Sequence, residues 1–271
     1  LIKNNLPIWS GMEIKPHKIE GIDNVLLFRL IDEQTHLFNF IIREIYNSLE
    51  LISSKKESTP LIISLLDKID SFFTKYQQGL SKSAQQGLYG ELYFMLEYLF
   101  KEVEPLEALK FWRGHDRGTH DYVFPNGNLE IKTTAQKEHK KISINSEMQL
   151  NNNGLSNLFL YVLNIKKLET EGESLVEIIK KINDYLIEKN IDTIKFYHYL
   201  NQAGYFKEHN FKYESIKYFC IKDDIYEIIE GFPRIISLPD GTGDLKYSIA
   251  LSSCKEFCRD LKKSLRVLIN D

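Results

Sequence analysis

The chain has 271 residues, 43% of them hydrophobic and 27% charged, which is enough apolar material for a sizeable core and excludes a disordered or low-complexity polypeptide. A net charge of −3 excludes a basic coat for nucleic acid, so affinity for phosphates has to come from a local patch. No apolar run reaches a membrane span, no signal peptide is visible, and Cys220, Cys254 and Cys258 include no CxxC pair, so the expectation is a cytoplasmic protein without membrane contact or structural zinc.

Residues 1–58 read as a β-rich region, with strands at 24–30 and 37–42 joined by the polar stretch 32–35. Thr59-Pro60 opens a helix to about residue 78, proline being suited to the first helical turn. A second helix spans 83–102, where Leu88, Leu92, Met95, Leu96, Leu99 and Phe100 recur at helical spacing and form one apolar stripe. Glu91 lies on the flank of that stripe. A carboxylate there is costly unless it is paired, hydrogen-bonded or bound to a metal; the alternative is a glutamate that reaches solvent. Gly87 and Gly90 beside it point to close approach by another element, because glycine otherwise weakens a helix.

Strands follow near 109–113, 119–124, 128–134 and 140–144. The middle two flank Asn126-Gly127, a strong hairpin signal. With that pair as a two-residue loop, Val123 faces Glu130 and Asp121 faces Lys132. Alternation then puts Asp121, Glu130 and Lys132 on one side. Asp121 and Glu130 become diagonal neighbours, about 7–8 Å apart at the backbone. Tyr122, Phe124, Leu129 and Ile131 take the other side as core. Two acids and a lysine on one face suit a metal site; the bland alternative is an Asp121–Lys132 salt bridge with Glu130 exposed, contributing under about 1 kcal/mol.

A short helix at 146–150 carries Gln149, and the continuous apolar run 158–163 fits a buried central strand. Helices at 173–189 and 192–204, strands at 211–221 and 245–251 and a terminal helix from Ser253 complete the chain. The expected organisation is an N-terminal β-rich and helical region (1–80), a core (81–170) and a C-terminal α/β region (171–271) packed on that core.

Phosphodiester hydrolysis needs an activated water and stabilised charge on the phosphate oxygens, and Mg2+ provides both from one or two carboxylates plus waters. Asp121 and Glu130 supply such a partial shell, with the Ile131 carbonyl as a further ligand. Lys132 is suited to orienting the attacking water or stabilising the developing anion. Gln149 holds Lys132 or contacts the phosphate, or is a plain surface glutamine. Lys137, Lys140 and Lys141 form the nearest basic cluster, a DNA-contacting loop or merely a solvated one. Arg113 and Arg117 are further DNA-contact candidates, while Trp112 reads better as core. His115, His120 and His139 raise a histidine–metal nuclease as another class, but His139 lies in a charged loop and the required strand–strand–helix finger is not evident.

Asp121 and Glu130-Ile131-Lys132 resemble the PD-(D/E)xK nuclease superfamily, with His120 where the motif has proline. Gly87-Leu88-Tyr89-Gly90-Glu91-Leu92 and Phe111-Trp112-Arg113-Gly114 upstream, and Ile142-Ser143-Ile144 and Ser146 to Leu150 downstream, make the order similar to a prokaryotic family of that superfamily found beside restriction and phage-defence genes. The resemblance implies a restriction-endonuclease-like α/β core, a mixed central sheet flanked by helices in the order helix, three strands, helix, strand. It implies a metal-linked glutamate on the first core helix, at Glu91, and Mg2+ as cofactor with Mn2+ able to substitute. It further implies endonucleolytic cleavage of double-stranded DNA in defence, by a homodimer or beside a partner methylase or ATPase. The rival class is a catalytically inactive DNA-binding or scaffold subunit with the same fold; the complete Asp121, Glu130 and Lys132 favour the enzyme.

Overall fold

The computed structural model describes residues 12–20, 22–30, 43, 46, 64, 67, 79–116, 118–135 and 141–270. They belong to two compact units, Leu1–Gly79 and Leu80–Asp271. In the first, β1 (Met12–Ile19) and β2 (Ile22–Leu30) form an antiparallel hairpin with an irregularity between His17 and Ile19. The predicted strand at 24–30 lies within β2, but its described partner is β1, which the sequence reading did not single out. The predicted strand at 37–42 lies outside the described residues, as does the helix at 59–78 apart from helical backbone at residues 64 and 67.

The second unit opens with α1 (Lys82–Phe94), started by Ser81, whose hydroxyl accepts the Ala84 N–H at 3.2 Å. The helix continues through a π-helical turn, Met95–Leu99, and a last turn, Phe100–Glu102. Its stripe is buried as the spacing predicts, Leu88, Leu92, Met95 and Leu99 all entering the core. Contrary to the strand expected at 109–113, α2 (Pro105–Phe111) occupies most of that stretch. Pro105 pre-sets the first turn, and Ala108 and Leu109, three and four residues on, bury together. Only Trp112 is extended, and it bridges to Tyr122.

The remaining elements are β3 (Tyr122–Phe124), β4 (Gly127–Thr134), β5 (Lys141–Ile144), β6 (Leu158–Leu168), β7 (Glu173–Ser174), α3 (Leu175–Glu188), α4 (Ile194–Ala203), α5 (Asn210–Tyr213), β8 (Lys217–Glu227), β9 (Tyr247–Ala250), β10 (Cys258–Arg259) and α6 (Leu261–Ile269). The main sheet has the order β10-β8-β6-β4-β3, with β7 on β8; β4 and β6 are parallel and their neighbours antiparallel. Central β6 is buried on both faces, as the unbroken apolar run requires. Phe159, Tyr161 and Leu163 pack with α1 and α3; Leu158, Leu160 and Val162 pack with Ile142, Ile249, Phe232 and Phe257 on the other side. The result is a mixed sheet flanked by helices, compatible with a restriction-endonuclease-like core.

Three boundaries depart from expectation. The strand at 140–144 leaves the main sheet and pairs antiparallel with β9 as a ribbon over the second face. The strand at 211–221 begins only at Lys217, because Tyr213 turns inward on α5 and its hydroxyl accepts the Leu80 N–H at 2.9 Å. The terminal helix waits until Leu261, after a 3-10 segment, Leu251–Phe257, and β10; Asp260 then caps it by accepting the Lys263 N–H at 2.9 Å.

The hairpin register is also corrected. Phe124 pairs with Gly127, Val123 with Asn128 and Tyr122 with Leu129, so the loop is Pro125-Asn126 and Gly127 already belongs to β4. Gly127 has φ +148°, and a Cβ there would stand 2.3 Å from the Asn157 carbonyl oxygen. The glycine lets β4 lie against Asn157, whose amide donates to the Asn126 carbonyl at 2.7 Å. A shift of two residues preserves the alternation, so the division into a polar and an apolar face survives.

Candidate active site

Tyr122, Phe124, Leu129 and Ile131 all enter the helix-covered core, which commits the opposite face of the hairpin to Asp121, Glu130 and Lys132. One step beyond the Tyr122–Leu129 pair, Asp121 stands level with Glu130 rather than diagonal to it, and its Oδ2 accepts the Ile131 N–H at 2.7 Å. Glu130 is 2% exposed, and its Oε1 accepts from Lys132 Nζ at 2.6 Å. The simple alternative of an Asp121–Lys132 pair with an exposed Glu130 is therefore replaced by a buried Glu130–Lys132 pair. Gln149, in the 3-10 turn Glu147–Leu150, presents Oε1 to Lys132 Nζ at 3.2 Å and to the Asn145 N–H at 2.9 Å.

Glu91 approaches from α1. Its Oε2 accepts from Trp112 Nε1 at 2.7 Å, and its carbonyl accepts from the Tyr122 hydroxyl at 2.8 Å. Of the two glycines expected to mark close approach, Gly90 does so, a Cβ there falling 1.9 Å from Thr133 Oγ1, while Gly87 faces open space; Gly114 makes room for Glu91 itself, a Cβ there falling 2.0 Å from its Oε2. Three carboxyl groups and one ammonium thus share one buried neighbourhood, and their proton affinities record it. Burial raises Glu91 well above the usual carboxylate range, with the charges of Asp121 and Glu130 adding to the rise and Trp112 and Lys132 opposing it. Asp121 is also raised by burial, against Lys132 and the Ile131 N–H. Burial and then Asp121 push Glu130 up to about 8 despite Lys132.

That excess of buried acid over base is the chemistry a divalent cation completes, so the donor set fits the metal the fold implies. Asp121 and Glu130 are the fitting pair, since Mg2+ prefers one or two carboxylates with waters. One Glu91 oxygen is already engaged by Trp112, which makes that side chain a neighbour of the pair before it is a ligand. Among the described residues, no group of three or more His, Cys, Asp or Glu side chains is arranged to hold a metal ion.

The other predicted residues scatter. Arg113 is exposed and borders a cavity of about 410 Å³ beside the hairpin. Lys141 is exposed at the start of β5, whereas Arg117, Lys137 and Lys140 lie outside the described residues. Trp112 is fully buried, so its role is to hold Glu91 rather than to meet DNA. His115 stacks on Tyr199 with ring centres 3.8 Å apart, His120 pairs its Nδ1 with the Asn128 amide at 3.0 Å, and His139 is outside the described residues. Among the described residues, the histidines do not assemble a histidine–metal finger. Trp112 and Asn128 were not assigned these roles from sequence. Trp112 lies 21 residues from its partner and leaves no local signal, but Asn128 was legible from alternation, two residues before Glu130 on the same face.

No helix among the described residues is long and apolar enough to cross a membrane. Neither a curated protein nor a solved structure gives a significant match to the chain. The family model described as "Putative PD-(D/E)XK family member, (DUF4420)" matches residues 9–252, a span that holds Glu91, the hairpin acids and Lys132, and the chain belongs to that nuclease-like family.

Proposed function

We propose that this protein is a Mg2+-dependent endonuclease that cleaves double-stranded DNA, with Mn2+ able to replace Mg2+. The observation that carries the reading is the buried meeting of Asp121, Glu130, Glu91 and Lys132, in which three acids face one base. Asp121 and Glu130 would hold the metal, with the Ile131 carbonyl as the nearest main-chain candidate, and the bound ion supplies charge stabilisation on the phosphate oxygens. Lys132 has three N–H donors, two of them engaged by Glu130 and Gln149, which fixes the ammonium and leaves the third for the phosphate or the attacking water. Gln149 is in turn fixed by the Asn145 N–H. A role in restriction or phage defence, in the cytoplasm, as a homodimer or beside a methylase or ATPase, rests on the family's resemblance to defence-linked nucleases.

Calorimetric titration of the purified protein with Mg2+ tests the reading against its rival. Saturable binding that Asp121→Asn removes is expected; a wild-type protein that binds neither Mg2+ nor Mn2+ is a scaffold with a nuclease fold. Glu91→Gln should raise the Mg2+ needed for half-maximal cleavage severalfold without lowering the metal-free melting temperature, because glutamine still accepts from Trp112. An unchanged Mg2+ requirement would confine Glu91 to anchoring Trp112.

With a net charge of −3, DNA affinity has to be local. Neutralising Lys137, Lys140 and Lys141 together should weaken binding and flatten its salt dependence, by about 0.9 in the log–log slope per lost phosphate contact. The cleavage rate at saturating DNA should survive. An unaltered slope in the triple variant would put the DNA path elsewhere.

A further inference from the structure

The polar face of the hairpin does not end at Glu130. Asn128 precedes it by two residues, about 7 Å along the strand, and projects from the same side; Val123 is its cross-strand partner. Both line the cavity of about 410 Å³ noted above, a volume within the range that small-molecule sites occupy. None of Asp121, Glu130 and Lys132 lines it, so it is a neighbour of the acid cluster rather than part of it.

Its walls have a particular chemistry. Asn128, Asn151 and Asn153 bring carboxamides, Met148 and Leu155 bring apolar surface, and Arg113 is the one lysine or arginine among the described residues that line it. Among the described residues, no acidic side chain lines it. A site for a bare phosphate would call for several cations, and a purely apolar ligand has no use for three amides. Amides carry a donor and an acceptor side by side, which matches the edge of a nucleobase, while the apolar side chains suit the face of its ring.

Two of the amides, Asn128 and Asn151, are held in place. Asn128 Nδ2 meets His120 Nδ1 at 3.0 Å, and the Asn128 N–H is held by the Asn157 carbonyl at 3.0 Å. His120 is buried, and because an amide nitrogen only donates, its Nδ1 is the acceptor in that bond. This leaves the Asn128 Oδ1 accepting nothing from the described residues. Asn151 Oδ1 accepts the Asn153 N–H at 3.0 Å, and the turn closes through the Leu155 N–H on the Asn152 carbonyl at 3.1 Å with Gly154 at φ +78°.

We propose that this cavity receives the base of the nucleotide next to the scissile phosphate, unstacked from its neighbours, so that cleavage is selective for a base or for its exposure. The inference rests on the nuclease reading for its placement of the scissile phosphate at Asp121 and Glu130. A base lodged here is out of the duplex, which favours substrate whose bases unstack cheaply.

The test is calorimetric titration of the full chain, in chelator so that nothing is cut, with each of the four deoxynucleoside 5′-monophosphates and with deoxyribose 5-phosphate. At least one nucleotide should bind about tenfold or more tightly than the sugar phosphate, the scale of one well-made amide–base pair. Asn151→Ala and Leu155→Trp should each weaken it about tenfold, the first by removing an amide and the second by filling the space. Melting temperatures confirm that both variants are folded, and Asn151→Ala decides alone if the bulkier change is not tolerated. Asp121→Asn should retain nucleotide binding while losing Mg2+ binding. Equal affinity for the sugar phosphate, no nucleotide binding at millimolar concentration, or binding untouched by Asn151→Ala would overturn the proposal. Base-dependent binding in a protein that never cleaves DNA would remove the nuclease reading and leave the base site standing; base-independent binding in an active nuclease would do the reverse.

Discussion

Alanine at Asp121, Glu130 or Lys132 should each reduce the rate of DNA cleavage at least about a hundredfold, the scale of losing one positioned catalytic group. The fold should survive, because none of the three belongs to either hydrophobic core cluster. The three losses should not add, since Lys132 is oriented by Glu130 and Asp121 is tied to the main chain of Ile131, between them. Single-turnover cleavage by variants of unchanged circular dichroism measures this. A variant with near-normal rate excludes its residue from the reaction.

The second large effect is on stability. Glu130 is pushed up to about 8, by burial first and by Asp121 second. An acid that holds its proton more tightly in the folded chain makes the native state bind more protons than the unfolded one between the unfolded value, about 4.3 for glutamate, and the folded one. Stability of the metal-free protein should therefore fall as pH rises from about 4.3 to about 8 and level off above, a loss of a few kcal/mol. Asp121 and Glu91 are displaced in the same direction and steepen the decline. Glu130→Gln keeps an acceptor for Lys132 and removes the buried charge, so it should raise the melting temperature at pH 8 by several degrees, at about 2–4 °C per kcal/mol for a chain of this size. Mg2+ should compete with the Glu130 proton and bind more weakly below pH 8. Thermal unfolding in chelator from pH 5 to 9 is the measurement; stability that climbs with pH across that range would show that the acid cluster is not strained by its own charge.

Much of this was legible in the sequence, for reasons that differ by element. The α1 stripe and the β6 run announced themselves because burial on one helix face or on both strand faces writes a long pattern. The pairing of the acid face with an apolar face was legible because alternation depends only on parity, and parity survived a register error of two. Local turn chemistry alone points to an Asn126-Gly127 loop, whereas Gly127 answers to Asn157, 30 residues on, a contact no window contains. Residues 109–113 failed differently: Phe111-Trp112 suggests a strand, but Pro105, Ala108 and Leu109 set the helix first. The departure of β5 to pair with β9, about 100 residues later, was equally invisible, since an isolated short strand does not name its partner. In the site, the shared face of the trio follows from alternation and the Gln149–Lys132 contact was one of the sequence expectations, but the Trp112–Glu91 bond is a product of the tertiary fold.

The most direct test is a supercoiled plasmid, methylated or unmethylated, incubated with wild-type protein or Asp121→Asn in Mg2+, in Mn2+ and in chelator. Conversion to open-circular or linear DNA by the wild type in either metal, absent in chelator and absent with the variant, is the result predicted. Cleavage that persists in chelator, or equal cleavage by Asp121→Asn, would contradict a metal-dependent reaction at the hairpin acids.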